Sequence, residues 1–304
     1  MSIPAEHGQI WKKYNILPYT SRVTNSATPQ RAVQDWILLE TGFDIWHAEI
    51  PAMLNVAPDC VNVYHTPEVQ KQIEGVIARF VNVDPMVHQF RVSVFSVGSP
   101  LWRQKIPAGV EPIRSESLGS QAWVVLPDAL RSLLEIFRAQ HDFVNHTAET
   151  RLLPNGQPMR IYLARQREYT RDVFSPVGSG KPPQPELVRF DDGFGVEVMP
   201  LVSIDGLYAD AQIKMHVNHL DRVISMRIVP LGSVGKVQSE EIETPVVGQF
   251  RFRERYQWSL ENSLLVSVGI TPPLTSAGSV SGLNLLNSTK RVETLVLIEY
   301  RKLY

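Results

Sequence analysis

The sequence predicts an α+β fold in which a small helix-and-strand module precedes a β-rich domain with long antiparallel strands. Three observations carry this. Helical periodicity is confined to the first half of the chain, at Val33, Trp36 and Ile37, at Val69, Ile73, Val76, Ile77 and Phe80, and at Leu130, Leu133, Leu134 and Phe137. Beyond His141 that period gives way to strand patterns punctuated by turns. From Leu207 to His219 apolar and polar residues alternate strictly, with Leu207, Ala209, Ala211, Ile213, Met215 and Val217 on one parity and Tyr208, Asp210, Gln212, Lys214, His216 and Asn218 on the other. Side chains alternate faces along a strand, so this is one long strand with a dry face and a wet face.

Taken in order, residues 1–27 read as an N-terminal extension. Thr28 before Pro29 predicts a cap and first-turn proline for a short amphipathic helix ending at Gly42. FDIWHAEI and CVNVY are then expected as strands, and Thr66-Pro67 opens a second amphipathic helix. Together residues 28–85 form the small α+β module, with two helices over one side of a short sheet.

Residues 86–304 form the β-rich domain. HQFRVSVFSVG carries apolar residues on both parities toward its end, as a strand covered on both faces does. A Pro-, Gly- and Ser-rich loop over 98–120 precedes QAWVV, a strand, and the helix that Pro127 starts. In Pro154-Asn155-Gly156-Gln157, between RLL and MRIYLAR, Asn-Gly tolerates the positive φ of a two-residue turn, which predicts a hairpin built on Asn155, Gly156 and Gln157. GFGVEVMPLV, the long strand from Leu207, VISMRIVPL, QFRFRERYQW, SLLVSVG and TLVLIEY supply the remaining strands. In QFRFRERYQW, Phe250, Phe252, Tyr256 and Trp258 share one parity, and Arg251, Arg253 and Arg255 take the other. The arginines are either a solvated face over an aromatic core or a ladder facing a polar lumen or a partner.

Thirty basic against 31 acidic residues give a net charge of -1, which lacks the electrostatic footprint of a nucleic-acid binder. The single cysteine, Cys60, cannot form an intramolecular disulfide and reads as a small buried apolar residue. MSIPAEHGQIWKKYNILPY has no apolar core behind a basic start, so it is not a signal peptide as written, and no stretch approaches the ~20 apolar residues of a membrane helix. Taken literally, that describes a soluble cytoplasmic protein.

No constellation of catalytic residues emerges, and no cofactor, metal or small-molecule substrate is expected. VGSGKPP fails as a phosphate loop, because Ser175 stands where its first glycine belongs and Pro182 follows Lys181. GFG at 193–195 has no helix after it, and is no dinucleotide fingerprint. His216 and His219 fall on opposite strand faces and cannot share a metal; Asp191-Asp192 before Gly193 reads as a solvated turn, and no serine sits in a nucleophile elbow.

The order of these pieces resembles the secretin superfamily, the ring-forming outer-membrane channels of type II and III secretion and type IV pilus machines. VYHTPEVQKQIEGVIARFV over 63–81 and HQFRVSVFSVG over 88–98 resemble the end of the family's ring-building module. LRSLLEIFRAQ followed by LLPNGQPMRIYLARQREY, then GFGVEVMPLVSIDGLYADAQIKM and the ending TLVLIEYRK, are similar to its secretin domain. The opening, with IWKKYNILPYTSRV and WILLETGFDIW, resembles secretin-like proteins of planctomycete type. The likeness implies a non-catalytic structural component of a bacterial envelope secretion or pilus-type assembly, self-associating or joined to other secretion components, in the periplasm or outer membrane. One departure is plain: only residues 270–293 stand where a secretin has a gate and a proline- and leucine-rich lip. The alternative is therefore a soluble monomeric or dimeric binding or scaffold module on the same fold without a pore.

Overall fold

In a computed structural model, residues 8–49, 51–83, 87–174, 184–228, 240–274 and 291–302 are described. The phosphate-loop-like string at 177–183, Ser175, and most of the segment 270–293 lie outside them.

The first module is a three-stranded sheet in the order β1 (Ile10–Asn15), β3 (Cys60–His65), β2 (Met53–Val56), all antiparallel. Against one side pack α1 (Leu17–Thr20), α2 (Gln30–Thr41) and α3 (Pro67–Val81). Val61 and Val63 point into this core beside Val33, Trp36, Ile37, Ile73 and Phe80. Pro67 stands in the first turn of α3 as expected, while α2 begins one residue past Pro29. Cys60 is buried.

Two expectations fail here. Residues 8–27 are not an appendage, because β1 and α1 are built into the module; the Tyr14 hydroxyl donates to Gln70 Oε1 at 2.7 Å, and Gln70 Nε2 donates to the carbonyls of Ile10 and Val63. FDIWHAEI is not a strand. Residues Asp44–Trp46 form a 3-10 turn after Gly42, whose φ of 81° ends α2, and Trp46 Nε1 donates to Thr41 Oγ1 at 2.9 Å. The local aromatic pattern yields to the geometry of the helix end.

The remaining described residues form a sandwich with a helical layer. A six-stranded antiparallel sheet runs in the order β5 (Val110–Ile113), β6 (Gln121–Val125), β12 (Ser263–Thr271), β13 (Val292–Arg301), β4 (Val87–Val97), β7 (Val144–Pro154). A four-stranded antiparallel sheet runs β11 (Glu240–Ser259), β10 (Tyr208–Ile228), β9 (Gln184–Val202), β8 (Met159–Phe174). The dry face of β10, with Ala209, Ala211, Ile213, Met215 and Val217, meets Phe90, Val92, Val94, Val266 and Ile298 of the larger sheet. On the far side of that sheet, Ala129, Leu133 and Phe137 of α4 (Pro127–Arg138) pack on Phe95, Val97, Trp123 and Leu297. β4 is thus covered on both faces, which accounts for its apolar residues on both parities.

The turn at Asn155-Gly156-Gln157 is not a hairpin. β7 pairs with β4 in one sheet and β8 with β9 in the other, so the turn carries the chain between sheets. Gly156 does adopt the expected positive φ, 77°. Asn-Gly fixes the local backbone and leaves the choice of strand partner to contacts distant in sequence.

Candidate functional site

Buried polar groups gather in several places among the described residues, two of which join separate parts of the fold. The first is the joint between the small module and the sandwich, built around the sheet-switching turn. Asn155, almost fully buried, donates from Nδ2 to the Arg79 carbonyl at 2.9 Å and the Val202 carbonyl at 3.3 Å, and accepts from Val202 N–H at 2.7 Å. Gly156 N–H donates to the Pro200 carbonyl at 2.9 Å. Gln157 Nε2 donates to the Tyr19 hydroxyl at 2.7 Å and the Pro29 carbonyl at 3.2 Å. The three turn residues read from the sequence therefore tie α1, the start of α2, the end of α3 and the end of β9 to one point.

Beside them lies an ion-pair network. Asp210, on the polar parity of β10, accepts from Arg255 at 2.8 and 2.6 Å and from Arg79 at 3.3 Å. Arg255 also donates to Glu40 of α2 at 2.6 Å, and Arg79 to the Leu201 carbonyl at 2.5 Å. Both guanidiniums lie over the buried Trp36 ring, 5.8 and 5.5 Å from its centre. The hydrogen bonds to Asp210 hold the Arg255 pKa above its ordinary value, against the opposing effect of burial. The three arginines picked out as one face therefore separate: Arg255 belongs to the joint, while Arg251 and Arg253 stay exposed further along β11. On the same face, Arg160 and Lys214 both donate to Glu197, at 2.6 and 2.9 Å.

The second region is the flank where β5 and β11 lie. Glu254 falls on the core-facing parity of β11, beside Phe252, Tyr256 and Trp258, yet it is buried. Its carboxylate accepts the amides of Glu116, at 3.0 Å, and Ser117. Ser115 Oγ and the Tyr256 hydroxyl bond at 2.8 Å. Burial raises the Tyr256 hydroxyl pKa to about 12. The loop from Arg114 to Ser120 is thus clipped across from one sheet to the other. The signal for this clip in the sequence is a charged residue, Glu254, on an otherwise aromatic strand parity.

Asp191 and Asp192 sit within β9 and not in a turn. They point apart, with Asp191 accepting the Tyr162 hydroxyl at 2.7 Å. Asp192 is buried and accepts from Arg167 at 3.1 Å and from the Leu220 amide at 3.3 Å, at the point where β9 and β10 part. GFG likewise lies inside β9; the His216 ring covers Gly195, 2.2 Å from where a β-carbon there would stand. His219 lies instead beside Asp192, 3.8 Å away. Among the described residues no group of three or more His, Cys, Asp or Glu could hold a metal ion, and no helix is long and apolar enough to cross a membrane.

What remains open is backbone. Among the described residues, β8 and β11 each have a strand partner on one side only, as do β5 and β7 in the larger sheet and β1 and β2 in the module. The β8 and β11 edges approach each other at their far ends, where the Thr170 amide donates to Glu243 at 3.1 Å.

No family model matches the chain, and no curated protein matches it. Several solved structures do. The type III secretion injectisome protein InvG of Salmonella SPI-1 is 13% identical at a TM-score of 0.31, covering 97% of this chain and 83% of that one. PilQ of the V. cholerae type IV competence pilus is 11% identical at a TM-score of 0.24, covering 95% and 76%. The type II protein GspD of enteropathogenic Escherichia coli is 8% identical at 0.26, covering 96% and 87%. All three are secretins.

Proposed function

We propose that this protein is a non-catalytic structural component of a bacterial envelope secretion or pilus-type assembly, and that it works as a homo-oligomer whose copies join at the open edges of their sheets. The observation that carries the reading is the four-stranded sheet. Its edge strands β8 and β11 run 16 and 20 residues, and among the described residues each has a strand partner on one side only, with the two edges meeting at their far ends through the Thr170 amide and Glu243. Long open edges are templates for another strand, and proteins that stay monomeric shorten, cover or interrupt them. Closing such a sheet on copies of itself removes the edges and gives a cyclic wall.

The same edge pairing would place the face bearing Arg251 and Arg253 along a lumen or against a partner. Asn155, Gly156 and Gln157 would hold the small module at a fixed angle to that wall. The test is the absolute mass of the purified chain by light scattering, with electron micrographs of the same peak. Closed rings are the expected outcome; a stable monomer at micromolar concentration overturns the proposal in favour of a soluble binding module.

A further inference from the structure

The clipped loop ends in Leu118, whose side chain is fully exposed. A single exposed leucine is ordinary on a surface. This one is presented by a braced tip. Glu254 fixes the two amides preceding it, Ser120 returns its amide and hydroxyl to the Ser117 carbonyl at 3.2 and 2.6 Å, and Gly119 holds φ at +80°. The buried carboxylate is satisfied by amides of this loop, so β11 carries a charge on its core face in order to hold the tip. A tip already fixed in its binding conformation loses little freedom when it docks.

The opposite flank of the six-stranded sheet carries a matching recess. Between the 3-10 turn Pro100–Lys105 and the end of α4 lies a cleft of about 410 Å³, floored by Leu101, Trp102, Ile136 and Ala139, with Lys105 and Asp142 on its rim. Strand register sets both features at one end of the sheet. Gln121 is level with Ser267, then Leu295, Phe95 and Asn145 across the strands. Leu118 lies just before Gln121, and the cleft opens just beyond Val97 and just before Val144.

We propose that Leu118 of one copy inserts into the Leu101–Trp102–Ile136 cleft of the next, a head-to-tail contact that sets the spacing of copies. It rests on the self-association proposed above. Tip and cleft lie on different surfaces, so every copy offers one of each, and the contact repeats until the ring closes.

The test uses the full chain. Leu118→Ser is expected to keep the melting behaviour of the single chain, because that side chain buries nothing within it, while raising the concentration for half-assembly roughly tenfold, as the loss of a buried leucine requires. In a mixture of copies carrying either Leu118→Cys or Ala139→Cys, a disulfide is expected to join unlike copies on oxidation. Assembly of Leu118→Ser at wild-type concentrations, or an assembled mixture without the cross-link, overturns the inference and leaves edge pairing standing. A wild-type chain that never assembles overturns edge pairing itself.

Discussion

The Phe80 ring occupies the space a side chain at residue 156 would need: a β-carbon added to Gly156 would stand 2.2 Å from Phe80 Cε1. The φ of 77° there strains any residue that carries a β-carbon, on independent grounds. Gly156→Ala is therefore expected to destabilise the chain by about 3 kcal/mol, combining a left-handed backbone with displacement of a core ring. Urea denaturation checks it. Phe80→Leu should recover part of the loss in the double variant, since it removes the clash and leaves the backbone strain.

Asp210 is the shared acceptor of Arg79 and Arg255. Asp210→Ala leaves both cations at the joint without it and should cost about 3 kcal/mol, whereas Glu40→Ala, at the more exposed end of the network, should cost under about 1 kcal/mol. Thermal unfolding of the two variants separates these magnitudes. Equal losses would mean that the joint does not depend on Asp210.

His88 is buried with neither ring nitrogen hydrogen-bonded, and burial lowers its pKa to about 4. The unfolded chain binds a proton there near the ordinary value of 6.5, so the fold favours the neutral ring. Its contribution to stability is complete above about pH 6.5 and is lost as pH falls toward 4. His146, on whose ring burial acts in the same direction, to about 4, adds to the slope. Unfolding free energies measured from pH 7 to pH 4 should fall steadily, and His88→Leu should flatten the decline while leaving the chain at least as stable at pH 7.

Glu293 is fully buried between two layers. It accepts from Trp102 Nε1 at 2.9 Å, Arg103 at 2.5 Å and Ser267 Oγ at 2.5 Å. Glu293→Gln keeps the shape but removes the charge opposite Arg103, at an expected cost of about 2 to 4 kcal/mol. Trp102 reports the change directly, because its indole N–H loses a carboxylate acceptor; its fluorescence should alter in the folded state.

The elements legible in the sequence were those fixed by local pattern. The apolar face of α3, the alternation along β10 and the two-sided burial of β4 follow from residues within each segment. Partner choice was not legible. The Asn155–Gln157 turn declares its backbone angles, but the sheet each flanking strand joins depends on Val202, Arg79 and Tyr19, all far away in sequence. Arg255 looked equivalent to Arg251 and Arg253 because parity alone places it; only the arrival of α2 over that end of the sheet, with Glu40 and Trp36, sets it apart. Asp192 looked like part of a turn because its buried partners, Arg167 and the Leu220 amide, come from other strands.

The passage of the chain from one sheet to the other at residues 154–159 has a mechanical meaning. Any pull on the small module along α3 reaches Phe80 and the Arg79 carbonyl, and from there passes through Gly156 and Asn155 into β7 and β8 together. The two layers of the sandwich thus share one anchor to the small module, beside the chain's own passage from α3 into β4.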